Sequence, residues 1–306
     1  MKSPFGSSEM GYSNRNFFAR ALKWFRSGNF HAKFFLTVLG LGAILWAIFG
    51  IYTVFLPMHD QQEMTVEAMI DKALQDILEK GATPESKAKL IRLQIRDRKT
   101  DDAHVLLLQV NDTTNSTPFI ADAWGWYYLA IMDNENALAA FNKAIELDPE
   151  LLQAHIGKGY VFLGENKTSD AKLIFLKVME MNSTYGPAYA AYGDYLYEVK
   201  DLEKAKSMYL RSLELNTNRE RTYLKLGRIY YLSGDLDKAA AYANRSLSIN
   251  KNYGKAYGLL GEISMRNQDI LEAEKMFGRL VELEPYDKSA KEWLILAQHS
   301  LNSNTG

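Results

Sequence analysis

A glycine recurs every 34 residues through the second half of this chain, and an alanine follows each glycine 12 residues later. The glycines are Gly125, Gly159, Gly193, Gly227 and Gly261, and the alanines are Ala137, Ala171, Ala205, Ala239 and Ala273. Only 20 of the 306 residues are glycine, so the chance of this series is on the order of 10⁻⁵. A fixed period of this length predicts a linear array of similar units, each stacked on its neighbours.

The residues around these glycines resemble the tetratricopeptide repeat, whose pattern W-x₂-L-G-x₂-Y…A…F…P extends over 34 residues. The first unit carries the most family positions, among them Tyr128, Phe141 and Pro149. Tyrosine replaces the early tryptophan in the last three units. The resemblance implies an all-α solenoid of five helical hairpins, at residues 118–151, 152–185, 186–219, 220–253 and 254–287. Within each hairpin, the glycine and the alanine would lie where the two helices cross and would let the backbones approach.

The array needs an end on each side. Residues 84–117 keep only Ala103 in phase with the alanine series, and we expect a degenerate repeat there. Residues 288–306 carry isoleucine at the glycine position, which predicts a C-terminal capping helix and a tail rather than a sixth full repeat. Residues 57–83 are predicted to form a linker helix that ends at Gly81.

An uncharged apolar run of 23 residues, 34–56, precedes the periodic part. As an α-helix it would be about 35 Å long, enough to cross a hydrocarbon core of about 30 Å. The run is too long for the apolar region of a cleaved signal peptide, and no small-residue cleavage pattern follows it. The sequence therefore predicts a single N-terminal transmembrane helix.

Basic residues are concentrated before this run. Residues 1–56 hold six basic residues and one acid, and the first basic residue after the run is Lys72. The positive-inside rule predicts a cytoplasmic N-terminus and a periplasmic array in a bacterial inner membrane. Residues 1–33 would form a basic amphipathic segment on the cytoplasmic leaflet. A solvated helical tail, a mitochondrial membrane and the reversed orientation stay open as alternatives.

Nothing in the sequence favours catalysis. The chain has no cysteine, and its five histidines form no metal-binding spacing. Glycine-rich nucleotide motifs and nucleophile motifs are also missing from the sequence. The formal net charge of −1 gives no basic footprint for nucleic acid. We therefore expect a protein that is not an enzyme and needs no cofactor or metal.

The resemblance also implies where a partner would bind, because the first helix of each repeat lines the concave groove in this family. The predicted groove residues are Trp126, Leu129, Tyr160, Leu163, Tyr197, Arg221, Arg228, Tyr231, Lys255 and Arg266. Asp122 and Trp126 stand where family members that clamp a C-terminal carboxylate carry lysine and asparagine, which argues against that mode. We expect an apolar peptide or helix with acidic residues at one end. Some of the rings could instead pack only between helices.

Two functions fit this organisation. One is a membrane-anchored scaffold that binds protein partners in its groove, by analogy during assembly of a cell-envelope complex such as a pilus, a secretion system, a cytochrome c maturation system or a translocon-associated chaperone. The other is a permanent structural subunit of a larger membrane complex.

Overall fold

The structure, a computed structural model, describes residues 64–111, 117–215, 217 and 219–304. The predicted transmembrane helix at 34–56 and the predicted basic segment at 1–33 lie outside these described residues. Within them, no helix combines the length and the apolar character needed to cross a bilayer.

Fourteen α-helices and no strand occur in the described part of the chain. In chain order they are α1 Val66–Lys80, α2 Pro84–Arg96, α3 Thr100–Asn111, α4 Pro118–Ala130, α5 Asn134–Leu147, α6 Leu152–Gly164, α7 Thr168–Met181, α8 Gly186–Glu198, α9 Leu202–Glu214, α10 Glu220–Ser233, α11 Leu236–Ile249, α12 Gly254–Arg266, α13 Ile270–Leu283 and α14 Lys288–Asn304. From α4 to α13 these helices pack in pairs, and each pair packs on the next. The described part is therefore an all-α repeat solenoid.

The turn inside each hairpin has the same conformation in every unit. One residue adopts the left-handed region (positive φ), and these residues are Arg98, Met132, Asn166, Lys200, Gly234 and Gln268. In four of these turns, an aspartate soon follows and its side chain accepts a hydrogen bond from the second helix. These caps are Asp133, Asp201, Asp235 and Asp269. A capping aspartate satisfies a backbone N–H group that has no partner within the helix, so each second helix begins at a defined residue.

The recurring glycines make room for aromatic rings. A Cβ atom added to Gly125 would lie 2.5 Å from the ring of Phe141, and one added to Gly157 would lie 2.2 Å from the same ring. Phe141 thus lies between the first helix of its own unit and the first helix of the next. The ring of Phe175 likewise lies 2.3 Å from a Cβ added to Gly159. The predicted alanines are completely buried in all five units.

The fourth unit differs, because Ala243 replaces the aromatic residue of the second helix. A Cβ added to Gly227 would lie 3.1 Å from the backbone oxygen of Ala239 rather than from a ring. Only in this unit do backbones approach each other at the glycine, as the sequence interpretation expected for every unit. Elsewhere the glycine accommodates the ring.

The two ends of the described array are built differently. At the C-terminal end, α14 buries Ala290 and Ala297 against α13, and the ring of Trp293 stacks on Phe277 at 5.7 Å. At the N-terminal end, α2 and α3 pack as a pair before α4. The helix in the predicted linker, α1, packs on α2 and also contacts the fourth unit through side chains.

Candidate binding groove

One position on the first helix of each unit lies beside the predicted groove, and most of these residues contact the same position in the next unit. These residues, 34 apart, are Trp126, Tyr160, Asp194, Arg228 and Glu262, and we call them the inner row. The rings of Trp126 and Tyr160 meet edge to face at 6.0 Å, and the Tyr160 hydroxyl donates to Asp194 at 2.8 Å. Arg228 donates to Glu262. Three of the four steps along the inner row are therefore direct contacts, and Asp194 reaches the fourth unit through Arg221 instead.

The N-terminal half of the inner row is tied to a buried carboxylate. Asp122 is fully buried, accepts from Arg92 at 2.6 Å and accepts from the indole N–H of Trp126 at 3.1 Å. Burial raises the pKa of Asp122 to about 6, because the lost hydration outweighs the attraction of Arg92 and the two hydrogen bonds. The indole of Trp126 thus has a partner inside the array.

A second buried carboxylate, Asp194, lies in the centre of the inner row. It is 2% exposed and accepts hydrogen bonds from the hydroxyls of Tyr160 at 2.8 Å and Tyr209 at 2.7 Å. Arg221 completes the cluster with an ion pair at 3.0 Å. Burial, reinforced by the carboxylate, raises the pKa of both tyrosines, so both remain hydrogen-bond donors. This cluster joins α6, α8 and α9 by side-chain hydrogen bonds and adds α10 through the ion pair of Arg221.

Four of the predicted groove residues are therefore engaged within the array. Trp126 and Tyr160 make the contacts above, and Leu129 and Leu163 are half-buried in the apolar clusters of the first two units. The sequence left open that some of these side chains only pack between helices. Such packing explains why these four residues are aromatic or apolar.

The C-terminal half of the groove contains a cavity of 450 Å³. Four predicted residues line it, namely Tyr197, Arg221, Arg228 and Lys255. Tyr231 and Arg266 are outside its lining and contact each other instead. The guanidinium of Arg266 lies 5.4 Å from the Tyr231 ring and donates to the Tyr231 carbonyl oxygen at 3.2 Å.

Sequence reasoning missed several lining residues. The apolar ones lie on α13 and α14, and are Phe277, Leu280, Ala290 and Trp293. Those on α14 could have been found by treating that helix as the first helix of another unit, with the groove continued along it. Lys225 and Glu284 were also missed, because neither falls on a groove position inferred from the resemblance.

The cations of the cavity differ in how they are neutralised. Arg221 pairs with Asp194 and Arg228 with Glu262. Lys225 lies 3.9 Å from the centre of the Tyr197 ring and 3.5 Å from Glu198. Lys255 is exposed and has no acidic partner within the described residues. Within the described residues, the cavity thus has one cation, Lys255, and one acid, Asp287, that form no ion pair.

Comparisons with known proteins agree with this geometry. Family models described as "Tetratricopeptide repeat" match residues 125–151, 186–219 and 221–253. A solved tetratricopeptide repeat protein from Parabacteroides merdae superposes with a TM-score of 0.54 at 16% identity, over 76% of this chain and 92% of that one. The tetratricopeptide repeat protein TTC0263 from Thermus thermophilus gives 0.52 at 19% identity, over 59% and 98%. No curated protein sequence matches the chain.

The described part of the chain is thus an α-helical repeat solenoid. More specifically, three of its five units match models of the tetratricopeptide repeat. Such repeats generally mediate interactions between proteins and are typically not catalytic.

Proposed function

We propose that this protein is a non-catalytic scaffold that binds a segment of a partner protein in the C-terminal half of its groove. The observation that carries the proposal is the 450 Å³ cavity between the third unit and α14. Eight of its 17 lining residues are charged, four of each sign, and the others include the apolar side chains that form its floor. Aromatic side chains in such a pocket are where binding energy concentrates, and Tyr197 and Trp293 fill that role.

The cavity is open to solvent along one side, so a short segment of a partner can lie in it without being enclosed. The exposed charge of Lys255 favours an acidic side chain beside an apolar one. The partner we propose is thus the one expected from the sequence, an apolar peptide or helix that carries an acidic residue.

Photocrosslinking tests the groove. A photoreactive amino acid at Lys255 of the full-length chain should trap a partner, and the same amino acid at Leu173, exposed on α7, should not. Trp293→Asp should abolish the Lys255 product, because a carboxylate replaces the aromatic floor. Equal trapping at both positions, or trapping that survives Trp293→Asp, would refute the assignment.

We also propose that residues 34–56 anchor the scaffold in an inner membrane, with the repeats in the periplasm. The support is the uncharged 23-residue run and the basic residues before it. Confinement near a membrane raises the effective concentration of a partner, so weak groove contacts suffice. Assembly of a cell-envelope complex is the role we favour for such a tether. Compartment-sensitive reporter fusions at both termini test the orientation, and an active cytoplasmic reporter at the C-terminus would contradict it.

One observation favours the alternative, a permanent subunit of a membrane complex. The capping helix α14 leaves apolar side chains in solvent, with Trp293 41%, Ile295 64% and Leu296 46% exposed. Repeat arrays usually end on a polar face. Purification in a gentle detergent discriminates: inseparable stoichiometric partners indicate a subunit, and a free chain indicates the scaffold.

A further inference from the structure

We propose that α1 and α2 form a clasp that closes the array onto its fourth and fifth units, and that the clasp can open while every repeat stays folded. The clasp is defined by contacts of residues 66–98 with residues 220–223, 249–252 and 284. Its consequence for partner binding depends on the proposed groove, but the clasp itself is tested without any partner.

The apolar part of the clasp is a single cluster of side chains from α1 and α2 on one side and from the fourth unit on the other. Val66, Ile70 and Leu93 from α1 and α2 share it with Tyr223 and Ile249 of the fourth unit, and all five are buried. The two groups of residues are more than 120 positions apart in the chain. Helices α1 and α2 are therefore held against the fourth unit by burial of side chains rather than by their proximity in the chain.

The polar part surrounds this cluster. Arg96 donates to Glu220 at 2.7 Å, with 19% and 8% of the two side chains exposed. The Asn250 amide donates to the carbonyl oxygen of Arg96 at 3.2 Å. Glu67 and Lys251 form a further ion pair at 2.9 Å in a more exposed position. Opposite charges thus fix the register between the hairpin and the fourth unit.

The contact with the fifth unit is looser. Arg98 and Glu284 pair across it at 3.5 Å, a distance longer than that of the ion pairs to the fourth unit. The other oxygen of Glu284, Oε1, is buried and has no hydrogen-bond partner in the part of the chain that the structure describes. An unpaired buried carboxylate oxygen lowers the free-energy cost of separating the clasp from the fifth unit, because water can hydrate the oxygen once the two surfaces separate.

Solenoid energetics explain why opening need not unfold the repeats. The stability of a repeat array is approximately a sum over single repeats and their nearest neighbours. The clasp is a contact between non-neighbouring units, so its loss leaves every neighbour interface of α4 to α14 in place. It is an additional closure, distinct from the packing that forms the hairpins.

The clasp also reaches the candidate binding site. Glu284, the partner of Arg98, lines the 450 Å³ cavity, and so does Arg221, adjacent to Glu220 in the chain. Closure therefore holds one wall of the cavity, and opening frees it. Opening of the clasp would therefore change the space that the cavity offers to a partner.

Distance measurements by double electron–electron resonance test the clasp. The natural chain has no cysteine, so cysteines at Gln75 and Ser248 of the full-length protein can be spin-labelled specifically. Both positions are exposed, one on α1 and one on α11. The otherwise unchanged chain should show one narrow distance. Arg96→Glu places two acids together and should raise the population of a longer distance by at least about tenfold, with an unchanged helical circular dichroism signal.

A second ion pair supplies the controls. Lys251→Glu should also populate the longer distance, and adding Glu67→Lys in the same chain should restore the short one, because the exposed pair is then rebuilt with reversed charges. Glu203→Gln, at an exposed acid on α9, should leave the distribution unchanged. A distribution that stays narrow in both Arg96→Glu and Lys251→Glu would overturn the proposal. So would a longer distance that Glu67→Lys fails to reverse.

Discussion

The buried carboxylate of Asp194 allows a sharp test of how the array is held together. Its two tyrosine hydroxyls and one guanidinium are its partners, and Tyr209 occupies the position that is phenylalanine at 141, 175 and 277. Tyr209→Phe therefore keeps a ring that fits this position and removes only one hydrogen bond. A hydrogen bond to a charged group contributes about 1.5–3 kcal/mol, so we expect a loss of about 2 kcal/mol.

If Asp194 accepts this hydrogen bond, the destabilisation caused by Tyr209→Phe must depend on the Asp194 carboxylate. Asp194→Ala alone should destabilise by about 3–5 kcal/mol, because it leaves buried donors without an acceptor. In the Asp194→Ala background, Tyr209→Phe removes a hydroxyl that already lacks its partner and should be neutral or stabilising. The coupling between the two substitutions should therefore be about 2–3 kcal/mol.

Two measurements are needed for this double-mutant cycle of Asp194→Ala and Tyr209→Phe. Urea unfolding followed by far-ultraviolet circular dichroism gives the free energies, and hydrogen exchange across residues 186–214 localises the loss, since repeat arrays need not unfold in one step. Tyr195→Phe, in the same unit, is the control, because its hydroxyl makes no hydrogen bond within the described residues. Equal costs of Tyr209→Phe in both backgrounds would refute the proposed role of Asp194.

Two further predictions concern the first two units. Gly159→Ala should cost about 1–3 kcal/mol, because its Cβ would overlap the Phe175 ring, and a Phe175→Leu background should reduce that cost in thermal unfolding. Asp122 has a pKa of about 6 in the folded chain, raised from 3.8, so the folded state binds the extra proton and gains stability as the pH falls. From pH 7 to pH 5 this gain should be about 1 kcal/mol relative to Asp122→Asn, whereas exposed Asp237→Asn should leave the wild-type pH dependence intact.

Much of the fold follows from local pattern. The spacing of Gly125, Ala137 and their counterparts identifies the period, and the capping aspartates identify where second helices begin. These signals are readable because each unit repeats the same short-range contacts. The structural role of the glycines was only partly predicted. In most units an aromatic ring fills the space beside the glycine, and the backbones approach each other only in the fourth unit, where Ala243 replaces the aromatic residue.

The groove was harder to read. Position along a helix indicates which side chains face inward, but Trp126 and Tyr160 find partners in neighbouring units, and a single repeat does not reveal that. Asp194 and Tyr209 belong together in the same way, since an acid on one helix accompanies a hydroxyl on the next. Trp293 was missed because it lies beyond the last full repeat.

By itself, the sequence determined the all-α array, its 34-residue period and the end of the periodic part, because hairpin formation depends on contacts between residues close in the chain. The tertiary structure alone decided which groove residues remain available and that residues 66–98 meet the fourth unit. Such contacts depend on how small rotations between successive units accumulate. That sum is set by the packing of all the intervening side chains, and no local sequence pattern encodes it.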